Sequence, residues 1–297
     1  MSETVETPVV VASPPTATQE SLGFGAILAE SPILIAGLSI LGFWLLVALL
    51  APWIAPFGPN ENLVPMALPG ERTPDGRLML FGADHLGRDV LSRIIYGGRT
   101  VLIYAPLATL CAYTVGVTLG LIAGYKGRWI DELLSRFADL VLAFPVIVLY
   151  IVIIQKFGAS GLNILVAVTL ASSPGIMRLV RGVVLDLRSR AYVAAAQMRG
   201  ESTPYILFVE ILPNARGPLI VDACLRLGYV TITIGTLGFL GLGLPPPTPD
   251  WGGMINESRH FALVFPHMAV FPCLAVSSLV LAFNLIADGL RELSLND

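Results

Sequence analysis

Asp222 and Arg226 stand four residues apart inside a long apolar run, acid first. On a helix this spacing puts both on one face, in the order that favours an ion pair. An ionisable side chain at the centre of a membrane helix costs about 2.5–3.5 kcal/mol on the insertion scale. The pair must therefore face protein or water. Two uses fit it: snorkelling to the nearer interface as an anchor, or lining a path and meeting a charged group of a solute. Asp139 is the third charged candidate in an apolar stretch, with Arg136 three residues earlier as its expected partner. An intramembrane enzyme would have to pair Asp139 with Asp222, and neither sits in a protease-like motif. His85, His260 and His267 are scattered, so no metal site is expected. Cys111, Cys224 and Cys273 lie in apolar runs without zinc spacing and read as small buried hydrophobes. The lysines are Lys126 and Lys156, and neither closes a phosphate-binding glycine loop. The chain thus lacks that route to ATP hydrolysis, and it shows no nucleophile elbow and no basic patch for nucleic acid. No catalytic residue is expected.

The elements that hold these residues are set by composition. Charged residues make up 13% of the 297, about half the usual ~25%. Apolar residues make up 55%, and the mean hydropathy is +0.77. Apolar runs approach or exceed the roughly 20 residues a helix needs to cross a bilayer, and helices satisfy their own backbone in lipid. The expected class is an all-α polytopic membrane protein. Six spans are read: Ile33–Ala51, Val101–Tyr125, Phe137–Ile154 interrupted at Pro145, Leu162–Met177 broken by Ser172-Ser173-Pro174, Leu219–Leu244 and Phe265–Ile286. Residues 1–31 contain no Lys or Arg and read as a disordered cytoplasmic tail rather than a signal peptide. The arginines at 178–199 favour a cytoplasmic N-terminus under the positive-inside rule, although Arg88, Arg93 and Arg99 argue against it. Residues 84–100 space Leu86, Val90 and Ile94 as an amphipathic helix lying at the interface. Trp251, after the Pro245-Pro246-Pro247 stop, suits a membrane–water boundary, and Asp288 with Arg291 suits an inner-face pair.

Between two spans lies a polar, alanine-rich stretch, AYVAAAQMRGESTPYILFVEILP at 191–213. Ala194, Ala195 and Ala196 favour helix and allow close approach of another backbone. Gly200 permits a left-handed turn. Thr203-Pro204 suits a second helix start, and Pro213 would close it. The stretch is either an ordinary helical loop or a docking surface for a soluble partner.

This stretch resembles the coupling motif of binding-protein-dependent ABC importer permeases, written EAA, three residues, G, nine residues, I-x-L-P. Ala195, Ala196, Gly200, Leu212 and Pro213 match. Ala194 stands where the family often has Glu, and Glu210 where the motif has Ile. FGADHLGRDVLSRIIYGGRT at 81–100, RFADLVLAFP at 136–145, RLVRG at 178–182, FLGLGLPPPTPDWGGM at 239–254 and FNLIADGLRE at 283–292 resemble the dipeptide/oligopeptide/nickel branch. The similarity covers roughly residues 30–292. The loop Ala51–Leu80 is typical of that branch's C-type subunit.

The resemblance implies a type I ABC importer permease fold: a first helix and extracytoplasmic loop over 32–80, a core over 81–292 with its coupling loop at about 178–217, and a tail at 293–297. It implies a heterodimer with a B-type permease and two cytoplasmic ATPase subunits that bind ATP and Mg, this chain having no cofactor. It further implies an extracytoplasmic solute-binding protein and a bacterial inner membrane. Ala194, Ala195, Ala196, Gly200, Ile211, Leu212 and Pro213 would engage the ATPase. Asp222, Arg226 and Asp139 are the candidates for the translocation path. The implied cargo is a peptide or peptide-like solute, with nickel, an opine or another small solute as alternatives. A stand-alone secondary transporter is the alternative of another class.

Overall fold

The structure, a computed structural model, describes residues 31–296. Residues 1–30, which hold nearly all of the expected tail, lie outside them. Among the described residues the regular structure is helical, apart from two isolated β-bridges in the first long loop.

Helix α1 spans Pro32–Leu49, with Ser31 as its N-cap and proline in its first turn. A short α2, Ala51–Ile54, follows. After a loop comes α3, Val90–Lys126, whose N-terminus is capped by Asp89 accepting from Ser92 N–H at 2.7 Å. Its 37 residues extend about 55 Å at 1.5 Å per residue, well beyond a ~30 Å hydrocarbon core. Next are α4, Arg128–Ala143, and α5, Val146–Phe157, which meet at 86° around Pro145. Helix α6, Gly161–Leu187, runs unbroken through Pro174. The coupling stretch forms α7, Ala191–Met198, then α8, Thr203–Tyr205, a π-helical turn at Ile206–Ile211, and α9, Leu212–Asn214. Helix α10, Arg216–Phe239, α11, Trp251–Ser258, and α12, His267–Asn296, complete the chain. Among the described residues, five helices are long and apolar enough to span, and the α4–α5 pair makes a sixth if taken together.

The spine of the bundle is the α3–α6 seam. Gly116, Gly120 and Gly124 of α3 meet Ile176, Val180 and Val184 of α6. A Cβ built on Gly120 would stand 2.6 Å from the Val180 Cβ and 2.7 Å from the Met177 carbonyl oxygen. Small residues every fourth position let two backbones approach this closely. Both residue series rise together, so α3 and α6 run parallel. The chain between them must therefore cross back, which makes the bent α4–α5 pair a full return. Leu34 of α1 packs on Gly289 of α12, and Trp44 packs edge-on to Trp251 at 4.8 Å. The start of α1 and the end of α12 thus share one end of the bundle, and Trp251 marks the other.

Several expectations change here. Residues 90–100 do not lie along an interface; they are the first turns of α3, buried under the preceding loop and α11. Arg88 and Arg93 are buried. Arg88 pairs with Asp84 at 2.6 Å and Glu257 at 2.5 Å, and Arg93 lies 3.7 Å from Glu257. Trp251 is not a boundary residue but fully buried, its indole N–H donating to the Ile94 carbonyl at 2.9 Å. Leu162–Met177 is neither short nor broken. Helix α12 continues through residues 293–296 of the expected tail. Cys111 and Cys224 are half-buried and Cys273 is exposed, so none is the core residue expected. Asp288 and Arg291 do not pair with each other.

Truncating Arg88 to methionine would strand Glu257 and Asp84 in this shielded cluster. Removing one partner of a buried ionic group costs about 3–5 kcal/mol. The expected result is a clear fall in the thermal midpoint of the purified subunit. An unchanged midpoint would mean that the cluster is hydrated and weak.

Candidate functional site

The coupling stretch is a helix–turn–helix built on a left-handed glycine. Gly200 has φ +78°, its N–H donates to the Gln197 carbonyl at 3.0 Å, and Glu201 N–H donates to the Ala196 carbonyl at 3.2 Å. These are the two bonds that close a helix through a left-handed residue. Ser202 then caps the next start, accepting from Tyr205 N–H at 3.4 Å, with Pro204 in the first turn. Pro213 does not end this second arm. It cannot donate to the Val209 carbonyl and would crowd it in a regular helix. The turn just before it is wider, with Leu212 N–H bonded five residues back to Leu207, and the helix continues.

The stretch has a core side and an outer side. Val193, Ala196, Ile206, Leu207 and Ile211 are buried against Ile176, Val180 and Val184 of α6. The same glycine seam fixes those α6 residues, so the stretch is tied rigidly to the α3–α6 spine. The outer side carries exposed Ala194, Gly200 and Pro213, with Ala195 and Leu212 half-buried. It also carries Met198, 84% exposed, and Phe208 and Val209. The sequence reading missed Met198; its position two residues before the turn glycine was the available signal. Glu210, the departure from the family motif, has a visible use: it accepts from Arg199 at 3.0 Å and so clasps the two arms together. Arg188 donates to the Gly124 carbonyl at 2.9 Å, and Gln197 to the Tyr125 hydroxyl at 3.1 Å, locking the stretch to the end of α3.

About two to three turns into α10, Arg226 Nε donates to Asp222 at 2.7 Å, the intrahelical pair the spacing predicts. Both are half-buried. Tyr113 of α3 also donates its hydroxyl to Asp222, a partner that sequence gave no means of finding. The Arg226 guanidinium lies 3.5 Å from where a Cβ on Gly175 would stand, so the group touches α6 as well. Beside it, an open apolar groove of about 490 Å³ runs between Tyr113, Val117, Phe208, Leu212 and Leu219. Asp139 does not pair with Arg136. It pairs with Arg178 across to α6, while Arg136 pairs with Glu132 at 2.6 Å one helical turn away. Asp139 makes no bond to the Asp222 group. Among the described residues, no group of three His, Cys, Asp or Glu could hold a metal ion.

The sequence that forms this bundle matches a known family. Residues 116–295 match the model of the binding-protein-dependent transport system inner membrane component. The chain belongs to this family. It is 40% identical over 271 residues to the dipeptide transport system permease protein DppC of Alkalihalophilus pseudofirmus, covering 89% of this chain and 86% of that protein. It is 43% identical over 211 residues to the glutathione transport system permease protein GsiD of Pectobacterium atrosepticum, covering 71% and 70%. DppC of Haemophilus influenzae is 39% identical over 249 residues, covering 83% and 84%. The chain is therefore a multi-pass permease subunit of an ABC import system, not an enzyme. Its system includes a solute-binding protein and an ATPase.

Proposed function

We propose that this chain is the C-type permease of an importer for peptides or peptide-like solutes. It pairs with a B-type permease, and residues 191–213 dock on one of the two cytoplasmic ATPases that bind ATP and Mg. The similarity to dipeptide and glutathione permeases carries the cargo class. The two-sided coupling stretch carries the mechanism. ATPase closure displaces its exposed side, the buried side passes that displacement to α6 and α3, and the bundle switches the path from inward-open to outward-open. A docked binding protein then releases its solute into the path.

In this reading the N-terminus and the coupling stretch are both cytoplasmic. Support comes from the arginines of the coupling end, Arg178, Arg181, Arg188, Arg190 and Arg199, which lie in or beside a short loop at the end of a span. Asp222, with Arg226 and Tyr113, borders the path, and Asp139 lies towards its cytoplasmic end.

The test is purification of the chain from its host in nanodiscs, with the binding protein retained, and mass spectrometry of subunits and bound solute. A second permease, ATPase subunits and a peptide are expected. Recovery of the chain alone, stable and active in uptake, would instead mark a stand-alone transporter. The path assignment has its own test. Arg226→Ala should change the relative uptake of charged and neutral peptides, and an unchanged range and rate would reject it.

A further inference from the structure

At the end of the bundle remote from the coupling stretch, a cavity of about 270 Å³ opens between the end of α10, the following loop and α11. Arg93, Asp250, Asn256 and Glu257 contribute its polar lining. Asp250 and Arg93 are both more than nine-tenths buried. Five charged side chains gather around this place. Asp84, Arg88, Arg93 and Glu257 balance one another through ion pairs of 2.5–3.9 Å. Asp250 is the carboxylate left over. It makes no ion pair within 4.0 Å among the described residues.

Its surroundings are built for a compact group rather than for a charge. Oδ2 accepts from Gly253 N–H at 3.0 Å and caps α11. Oδ1 is buried with no hydrogen-bond partner, and so is Nε of Arg93. Side chains on Gly238 or Gly243 would overlap the carboxyl, so the end of α10 and the loop after it press bare backbone against it. The charged groups that face Asp250 are Arg93 from α3, which favours its ionised form, and Glu257 from its own helix, which opposes it. From α10 it meets Gly238.

We propose that Asp250 is a proton-binding site, and that its protonation tightens the junction between α10 and α11. The proton removes the uncompensated negative charge from a shielded place, where an ionised oxygen without a partner is costly. Burial, the largest cause, pushes Asp250 up to about 6 from an ordinary 3.8. The folded value is the raised one. The stabilisation is therefore full below the unfolded value and is lost as pH rises through about 6. Acidification from about pH 7.5 to about pH 5 should shift the local closed-to-open ratio by about tenfold. Calling this face the outer one rests on the orientation proposed above; the proton site itself does not.

The experiment uses the assembled transport complex in nanodiscs, where both faces meet one buffer. Infrared spectroscopy follows the carbonyl stretch of protonated carboxylic acid against pH, and hydrogen exchange follows the amides of Trp251–Ser258. A band titrating near pH 6 and absent from Asp250→Asn is expected. Protection of α11 should rise about tenfold on acidification beyond the intrinsic exchange chemistry, and should lose its pH dependence in the variant. The absence of such a band from the wild type at about pH 5, its persistence in Asp250→Asn, or pH-independent protection would each overturn the proposal. Should Asp250→Asn fail to assemble, Glu257→Gln decides instead. Removing the opposing carboxylate should move the midpoint down, and an unmoved midpoint counts against Asp250. These readouts do not involve the cargo or the ATPase, so their failure is distinct from failure of the importer reading.

Discussion

Gly120→Leu is expected to empty the membrane of folded protein. Gly120 sits in the middle of the α3–α6 seam, and its missing side chain is where Val180 packs. Even a methyl group there would stand 2.6 Å from the Val180 Cβ and 2.7 Å from a backbone oxygen of Met177. A flexible side-chain tip can move aside, but backbone cannot, so the two helices must separate. Overpacking costs typically 1–3 kcal/mol and occasionally more. Here separation also unseats Ile176, Val180 and Val184, which support the coupling stretch. We expect a loss of about 3 kcal/mol or more, a large part of a typical 5–15 kcal/mol. Membrane-fraction abundance and the thermal midpoint of the purified subunit would report it. Gly42→Leu is the control, since nothing lies within 4 Å of a Cβ built at that position. Equal abundance of the two variants would mean that the seam is not the structural spine.

Met198→Glu should have the opposite profile: normal insertion and stability, with solute uptake reduced at least tenfold. Met198 is 84% exposed on the coupling stretch and contributes almost nothing to the fold. A loss of tenfold corresponds to about 1.4 kcal/mol of partner binding, well within what one exposed apolar anchor supplies at an interface. Ala196→Glu supplies the contrast. Ala196 is fully buried among Ile176, Val180 and Ile206, and a carboxylate there has no partner. That variant should lose the helix–turn–helix itself and with it stability. Gly200 separates the two effects again. With φ +78° and open space around it, Gly200→Asn should be tolerated, while Gly200→Val should pay about 1–2 kcal/mol in backbone strain. Uptake and ATP hydrolysis measured on the reconstituted complex would check all four. Normal uptake by Met198→Glu would remove the exposed side of 191–213 from the docking surface.

The features legible in the sequence are those governed by neighbours along the chain. Hydropathy located the spans, because crossing lipid requires a continuous apolar run. The small-residue helix, the left-handed turn at Gly200 and the start at Thr203-Pro204 follow from local backbone preferences. The Asp222–Arg226 pair follows from helical spacing alone. Prolines were harder to read. Pro145 makes a sharp corner, Pro174 leaves its helix continuous, and Pro213 is absorbed by a wider turn, since the outcome depends on what packs around each ring.

Tertiary structure decided the rest, and each such case turns on partners distant in sequence. Asp139 turns to Arg178, 39 residues away, rather than to the nearer Arg136. Asp222 receives Tyr113 from 109 residues away, and Arg88 finds Glu257 across 169. An amphipathic pattern at 84–100 reports only that one face is apolar; whether its arginines meet water or buried carboxylates is fixed by α11. Trp251 likewise carries a polar N–H that suits an interface equally well as the Ile94 carbonyl, and packing on Gly97 chose the second. Local chemistry sets which conformations a segment can adopt. The assembled bundle sets which charges are shielded, and shielding determines both the strength of the ionic cluster and the chemistry open to Asp250.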